Sequence, residues 1–161
     1  MTQVCLVGKE GVNLRYELLS RETSRDALAS YDLREPYENT VALETVSVGA
    51  AVATCNDLNW YLVRFASDAL VLEPSITESE WLSRGLATAI RNETVDPEET
   101  GRFLQVYGVE YPDAEDGMGE RPPRLVEPMF VARTGDTIPE YDLRDVHETV
   151  VVRVTEDEFE A

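Results

Sequence analysis

Apolar positions along the chain fall into short runs and stripes with two different periods. Val4-Cys5-Leu6-Val7 is a continuous apolar run stopped by Gly8, the pattern of a buried strand. After Gly11-Val12-Asn13, Leu14, Leu18 and Leu19 share one side of a helical pattern, with Arg15, Glu22 and Arg25 elsewhere. Tyr31 and Leu33 alternate ahead of Pro36. Val41, Leu43, Val46 and Val48 follow, with a slip of phase near Thr45 that reads as a bulge. Residues 29–35 and 40–48 are therefore predicted to pair as a hairpin. From Ala50 the period turns helical again, through Val52, Cys55, Leu58, Leu62 and Phe65. Ala69-Leu70-Val71-Leu72 reads as another buried strand, closed by Glu73-Pro74. Ser75 and Glu78 have the spacing of a capping box, which predicts a helix carrying Trp81, Leu82, Leu86, Ala89 and Ile90.

The first six of these elements have the order βαββαβ. They predict an α+β fold of ferredoxin-like type: an antiparallel sheet covered on one face by two helices, over residues 1–92. Residues 93–161 differ in character. Asp96-Pro97-Glu98-Glu99 has the signature of a helix start, with Phe103, Leu104 and Tyr107 as its apolar side and Gly108 as its stop. A loop of Pro, Gly and acidic residues between Tyr111 and Arg124 is expected to be mobile. Two strand-like runs, Leu125–Arg133 and Thr149–Thr155, are expected to form a hairpin that completes the sheet or packs on its face. The acidic tail Glu156–Ala161 is expected to fray.

Charge changes the picture more than length does. The 161 residues hold 32 Asp+Glu against 14 Lys+Arg, a net charge of −18, yet 43% of positions are hydrophobic, an ordinary fraction for a folded domain. The balance is −5 over residues 1–92 and −13 over 93–161, and Lys9 is the only lysine. An acidic, lysine-poor surface is the composition expected of a protein in molar cytoplasmic salt, where the Debye length falls to about 3 Å and carboxylate repulsion is screened. Direct binding of nucleic acid is disfavoured, because its affinity rests on Lys/Arg–phosphate contacts. No apolar run reaches the ~18–20 residues of a membrane span, and no signal-type segment follows Met1, so a cytoplasmic protein is expected.

The residues that carry chemistry are few. Cys5 and Cys55 lie in separate apolar contexts and read as two buried thiols, with a disulfide the lesser alternative. His147 is the only histidine and has no cysteine pair or nucleophile motif beside it, so no zinc site or catalytic triad is expected. Asp113-Ala114-Glu115-Asp116-Gly117 lacks the length and terminal Glu of an EF-hand loop and reads as solvated acid. The one candidate ligand loop is Gly8-Lys9-Glu10-Gly11-Val12-Asn13, between the first strand and the first helix. Its glycines would admit a small anionic ligand to the backbone, beside the only lysine. Gly8, Lys9, Gly11 and Asn13 are its expected contacts, and Lys9 its expected charge.

Trp60-Tyr61-Leu62-Val63-Arg64-Phe65, followed by Ala69-Leu70-Val71-Leu72-Glu73-Pro74, resembles the C-terminal extension of WYL-domain transcriptional regulators. There a helix ending in Trp–aliphatic–aliphatic–x–Phe runs into a V-L-x-P strand and a final helix. The resemblance spans roughly residues 41–92 and departs from the family at Ala66, where glycine is usual. It implies a regulatory or oligomerising module without catalytic residues. The acidic whole also resembles small families of halophilic archaea. Packing accounts for Trp60, Leu62, Phe65, Val71 and Leu72 as core. The expectation is a non-enzymatic, self-associating or partner-binding module without cofactor or metal. A sensor of a small anionic ligand and an accessory factor in transcription regulation are the alternatives.

Overall fold

A computed structural model describes residues 1–112 and 121–161 of the chain. The acidic segment 113–117 lies outside the described residues. The fold is mixed α+β: β1 (Thr2–Gly8), α1 (Leu14–Leu19), α2 (Glu22–Leu28), β2 (Thr40–Thr45), α3 (Val48–Asp57), α4 (Asn59–Phe65), β3 (Ala66–Leu72), β4 (Trp81–Ser83), α5 (Arg84–Arg91), β5 (Phe103–Glu110), β6 (Arg124–Ala132), β7 (Glu148–Arg153) and α6 (Glu156–Glu160). One seven-stranded sheet runs in the order β2-β1-β3-β4-β7-β5-β6. Among the described residues no helix is long and apolar enough to cross a membrane.

The apolar runs behave as strand chemistry requires. In β1 the alternate residues Val4 and Leu6 join the helix-side core with Leu14, Leu18, Leu43, Val52, Leu58 and Leu86. Cys5 and Val7 point the other way, into a second cluster with Leu70, Tyr107, Val109, Val150 and Val152. That second cluster has a geometric consequence. Strands β1 and β5 are four places apart in the sheet, about 19 Å if it lay flat at ~4.8 Å per strand. Side chains of β1 and β5 in one cluster require the sheet to fold back on itself. The fold occurs at β4, which is three residues long and joins β7 through only Trp81↔Val152 and Leu82↔Arg153. Strands β7, β5 and β6 thus close over the face of β1 and β3 that the helices leave bare.

Several expectations are corrected. The hairpin over 29–35 and 40–48 reduces to β2 and a single bridge, Arg34↔Ala42. Helix α2 occupies the chain up to Leu28, and Ser47 caps α3, so Val46 is left exposed. Residues 1–92 therefore run βααβααββα rather than βαββαβ. The helix expected at Ser75 does not start there. Ser75 sits in a turn with its N–H on Glu73 Oε1, Trp81–Ser83 is a strand, and Ser83 caps α5 through the Leu86 N–H. Asp96 does cap, but only a 3-10 turn at Pro97–Glu99; Gly101 then takes φ +104° and residues 103–110 are a strand. The cause is position: β5 lies between β7 and β6 with both faces covered, so its residues lack the alternation of a half-buried strand. The runs at 125–133 and 149–155 do not pair with each other, because β5 lies between them; β6 and β7 complete the sheet. The tail is ordered as α6, with a Thr155–Glu158 capping box and Phe159 stacked 4.8 Å from Phe103. Leu62 and Val71 are buried as expected, and Phe65 and Leu72 partly so. Trp60 is not core: it is 49% exposed, with the Arg64 guanidinium 3.8 Å from its ring.

Candidate functional site

Two bulges build the principal cleft. In the β1–β3 ladder the register slips between Val7 and Gly8, so Ser67 is left without a partner across the ladder. In the β5–β6 ladder it slips between Val106 and Gly108, opposite Glu127 at φ 29° and Pro128. Bulges bend strands and re-aim side chains, which is why they gather beside sites. Tyr141 fixes the second one. Its hydroxyl donates to the Glu127 carbonyl at 2.9 Å, and its ring lies where a Cβ on Gly108 would come within 2.8 Å of Cε1. A side chain at Gly108 would have to displace that ring.

Between the bulges lies a cleft of ≈ 550 Å³, walled by Gly8, Glu10 and Gly11 on one side and by Leu125, Val126 and Pro128 on the other. Asp68 of β3 and Tyr107 of β5 line it. The Tyr107 hydroxyl donates to Asp68 Oδ2, and Gln105 Nε2 makes a weaker contact to the same oxygen at 3.5 Å. Oδ1 has no protein donor among the described residues. Burial pushes the Asp68 carboxyl above the usual carboxylate range, although the bonds from Tyr107 and Gln105 pull it back and Glu158 pushes it further up. Burial, and then the charge of Asp68, push the Tyr107 phenol up, so it stays protonated and acts as a donor. A half-buried carboxyl group with a shifted pKa at the floor of a cleft is a common mark of a functional site.

Arg124 and Arg144 stand at the mouth. Glu110 holds both, at 2.8 Å from Arg124 Nη2 and 3.3 Å from Arg144 Nη2. A further depression of ≈ 660 Å³, lined in part by Glu35, Glu38, Tyr111 and Arg121, shares Glu38 and Arg124 with the cleft.

The loop singled out from the sequence borders this cleft, and several of its donors are used internally. Gly8 N–H goes to the Asn39 carbonyl and Lys9 N–H to Phe65, while Val12 N–H closes on Lys9. Asn39 Oδ1 takes the Leu14 N–H at 2.9 Å, and Asn13 caps α1 through the Tyr16 N–H at 3.1 Å. Lys9 Nζ is turned to the Val63 carbonyl at 3.1 Å. Gly8 and Gly11 therefore remain as cleft wall, while Lys9 and Asn13 are engaged elsewhere. His147 is exposed in the bend before β7. Cys5 and Cys55 are free and buried, one in each core cluster on opposite faces of the sheet, so no disulfide joins them.

Asp68, Gln105, Tyr107, Arg124 and Arg144 were not among the expected site residues. A signal was present: Asp68 abuts the apolar run Ala69–Leu72, and Gln105 breaks the run Phe103–Val109. A polar residue at a buried strand position needs a partner, and here Asp68, Gln105 and Tyr107 are each other's.

The chain has no match among curated proteins and none among solved structures. Residues 2–109 match the model of a family of unknown function, DUF5804. The matched stretch runs from β1 into β5 and so contains Asp68, Gln105 and Tyr107 together, and with most of its length inside that model the chain belongs to the DUF5804 family.

Proposed function

We propose that this protein is a non-enzymatic regulatory module of a salt-rich cytoplasm that binds a small polar ligand between the two halves of its sheet. The observation that carries this reading is the Asp68–Tyr107 bond. It joins strands from the two halves at the floor of a cleft whose walls also come from both. A ligand seated there touches both halves and stabilises their closure, by about 2.7 kcal/mol at a hundredfold excess over Kd. A partner that recognises only the closed arrangement, another protein or a second copy, then responds to ligand level. The lining carries both signs of charge, Arg124 and Arg144 across from Asp68, Glu10 and Glu38. A small zwitterion matches that lining better than a simple anion does, and its anionic group would compete with Glu110 for the two arginines.

Calorimetric titration and thermal shift with zwitterionic, anionic and cationic metabolites at constant ionic strength test this. A zwitterion should raise Tm, Asp68→Asn should abolish the shift, and Lys9→Ala should leave it intact because Lys9 faces Val63. Absence of a shift from every class, or a shift that survives both Asp68→Asn and Tyr107→Phe, overturns the reading.

A second reading, an accessory factor in transcription regulation, is supported by the helix Asn59–Phe65 running directly into the strand Ala66–Leu72, the step on which the WYL-extension resemblance rests. The two differ beyond Leu72, where a turn and β4 precede the final helix. Chromatin immunoprecipitation of the tagged protein distinguishes the readings: enrichment at promoters supports the second, and uniform background removes it.

A further inference from the structure

The geometry points to a second site, for a phosphoryl oxyanion, in the arginine cluster at the other end of β5. Glu80, just ahead of β4, accepts from Arg153 Nε and from Arg133 Nη2, each at 2.7 Å. Arg153 Nη1 also donates to Thr100 Oγ1 at 3.0 Å. The three charged side chains are only 15–20% exposed. Because the two oxygens of one carboxylate are divided between two guanidinium groups, neither arginine has the two-point pairing its planar fork is built for. Arg133 Nε is left buried with no acceptor.

One carboxylate neutralises one of these two cations. Arg102, at the entry to β5, adds another: it lies 5.3 Å from the Phe103 ring centroid and has no ion-pair partner among the described residues. Beside the cluster is a depression of ≈ 440 Å³ lined by Thr100, Gly101, Arg102, Arg133, Gly135 and Asp136. Three arginines against Glu80 and Asp136 leave a local positive excess on a chain whose net charge is −18. Of its two glycines, Gly135 leaves the backbone open and Gly101 lets the chain pack against Arg153. Gly135 has φ +61° and nothing within 4 Å of a Cβ, and Gly101, at φ +104°, lies where a Cβ would be 3.1 Å from Arg153 Nε. Under-used guanidinium donors, residual positive charge and close backbone approach are the requirements of a phosphate oxygen cage. The depression has room for more than a bare phosphate, so a phosphorylated metabolite held by its phosphoryl group fits it.

The test is titration of the full chain with pyrophosphate and inorganic phosphate in about 2 M KCl, where long-range attraction is screened and only direct contacts persist. Binding is read by ³¹P line broadening and by the amide resonances of Gly101, Arg102 and Gly135. Saturable binding with Kd of about 1 mM or tighter is expected, with those three amides shifting. Arg102→Gln should weaken it about tenfold, the worth of one charge-assisted contact. Arg133→Lys keeps the charge and the Glu80 pairing while removing the fork, and should weaken it as well. Arg64→Gln, the same loss of charge on α4, should leave it unchanged. No movement of the Gly101 and Gly135 amides, native affinity in both Arg102→Gln and Arg133→Lys, or equal weakening by Arg64→Gln would each overturn the assignment.

Discussion

At the residue scale, Asn39 does most to shape the cleft. It takes a left-handed φ of 57°, and its side chain fastens the first loop by accepting from Leu14 N–H and donating to the Lys9 carbonyl. That side chain occupies the space a Cβ on Gly8 would need, 2.5 Å from Asn39 Nδ2. Gly8→Ala should therefore cost about 1–3 kcal/mol, the range for forcing a packed site apart, read as a lowered denaturant midpoint with an unchanged slope. Two half-buried acids give pH dependences of opposite sign. Asp68 lies above its ordinary 3.8, so the fold holds that proton more tightly than the unfolded chain does. Its contribution is complete below pH 3.8 and is lost as pH rises through the folded value. Burial raises the Glu80 carboxyl, but its bonds and charges from Arg153 and Arg133 outweigh this and hold it below 4.5. Its contribution is present above pH 4.5 and is lost as pH falls through the folded value. Asp68→Asn should therefore be at least as stable as the native protein near pH 7. Glu80→Gln should lose about 2 kcal/mol there, because two half-buried guanidinium groups lose their charge partner. The Glu80→Gln deficit should shrink when unfolding is repeated near pH 4; a constant deficit would mean that Glu80 acts through packing alone.

At the scale of elements, the junction between β4 and β7 decides whether the chain is one unit or two. Only two residue pairs join them, but Glu80 fastens the same edge by holding Arg153 of β7 and Arg133 beyond β6. Cys5, Val7 and Leu70 are covered by β5 and β7, so a fragment ending at residue 92 would expose an apolar sheet face. The full chain is expected to melt in one calorimetric transition, and the fragment 1–92 to aggregate or to give collapsed amide dispersion. Two transitions and a well-dispersed fragment would support the expected boundary near residue 92. The same junction explains which elements the sequence made legible. Helices α1 and α3 were readable because a stripe of helical period reports one buried face, and strands β1 and β3 because their short apolar runs are cut off by Gly8 and by Glu73-Pro74 before a helix could form. Strand β5 was not: covered on both sides, Phe103–Val109 shows an apolar crowd that fits a helix stripe equally well. Trp60 misled in the opposite direction. Its size and place beside Tyr61 and Leu62 suggested core, whereas arginine stacking holds it at the surface. The cleft itself was out of reach because Asp68 and Tyr107 meet only when the sheet folds back, and no local pattern encodes that fold.

For the whole molecule, a net charge of −18 on a chain of 161 residues sets the conditions under which this architecture is stable. Six ion pairs hold the described residues together, and four of them lie on side chains that are mostly 26–50% exposed, where each is worth little. Most carboxylates therefore face water and one another, and the C-terminal half, which must close over the N-terminal half, carries the larger share of them. Repulsion between the halves acts directly on the sheet's fold at β4. Screening at about 1 M salt, with a Debye length near 3 Å, removes most of that repulsion while leaving the half-buried Glu80 pairs almost intact. Tm should accordingly rise steeply between dilute buffer and about 1 M KCl and then flatten. Chloride is the proper probe, because sulfate would stabilise any fold by exclusion from its surface. The second-face cluster should respond more than the helix-side core. Hydrogen exchange at Val150 and Val152 of β7 should slow with added KCl well before exchange at Val4 and Leu6 of β1 changes. Equal slowing at all four would place the repulsion throughout the chain rather than between its halves, and a Tm indifferent to KCl would remove the link between this composition and a salt-rich cytoplasm.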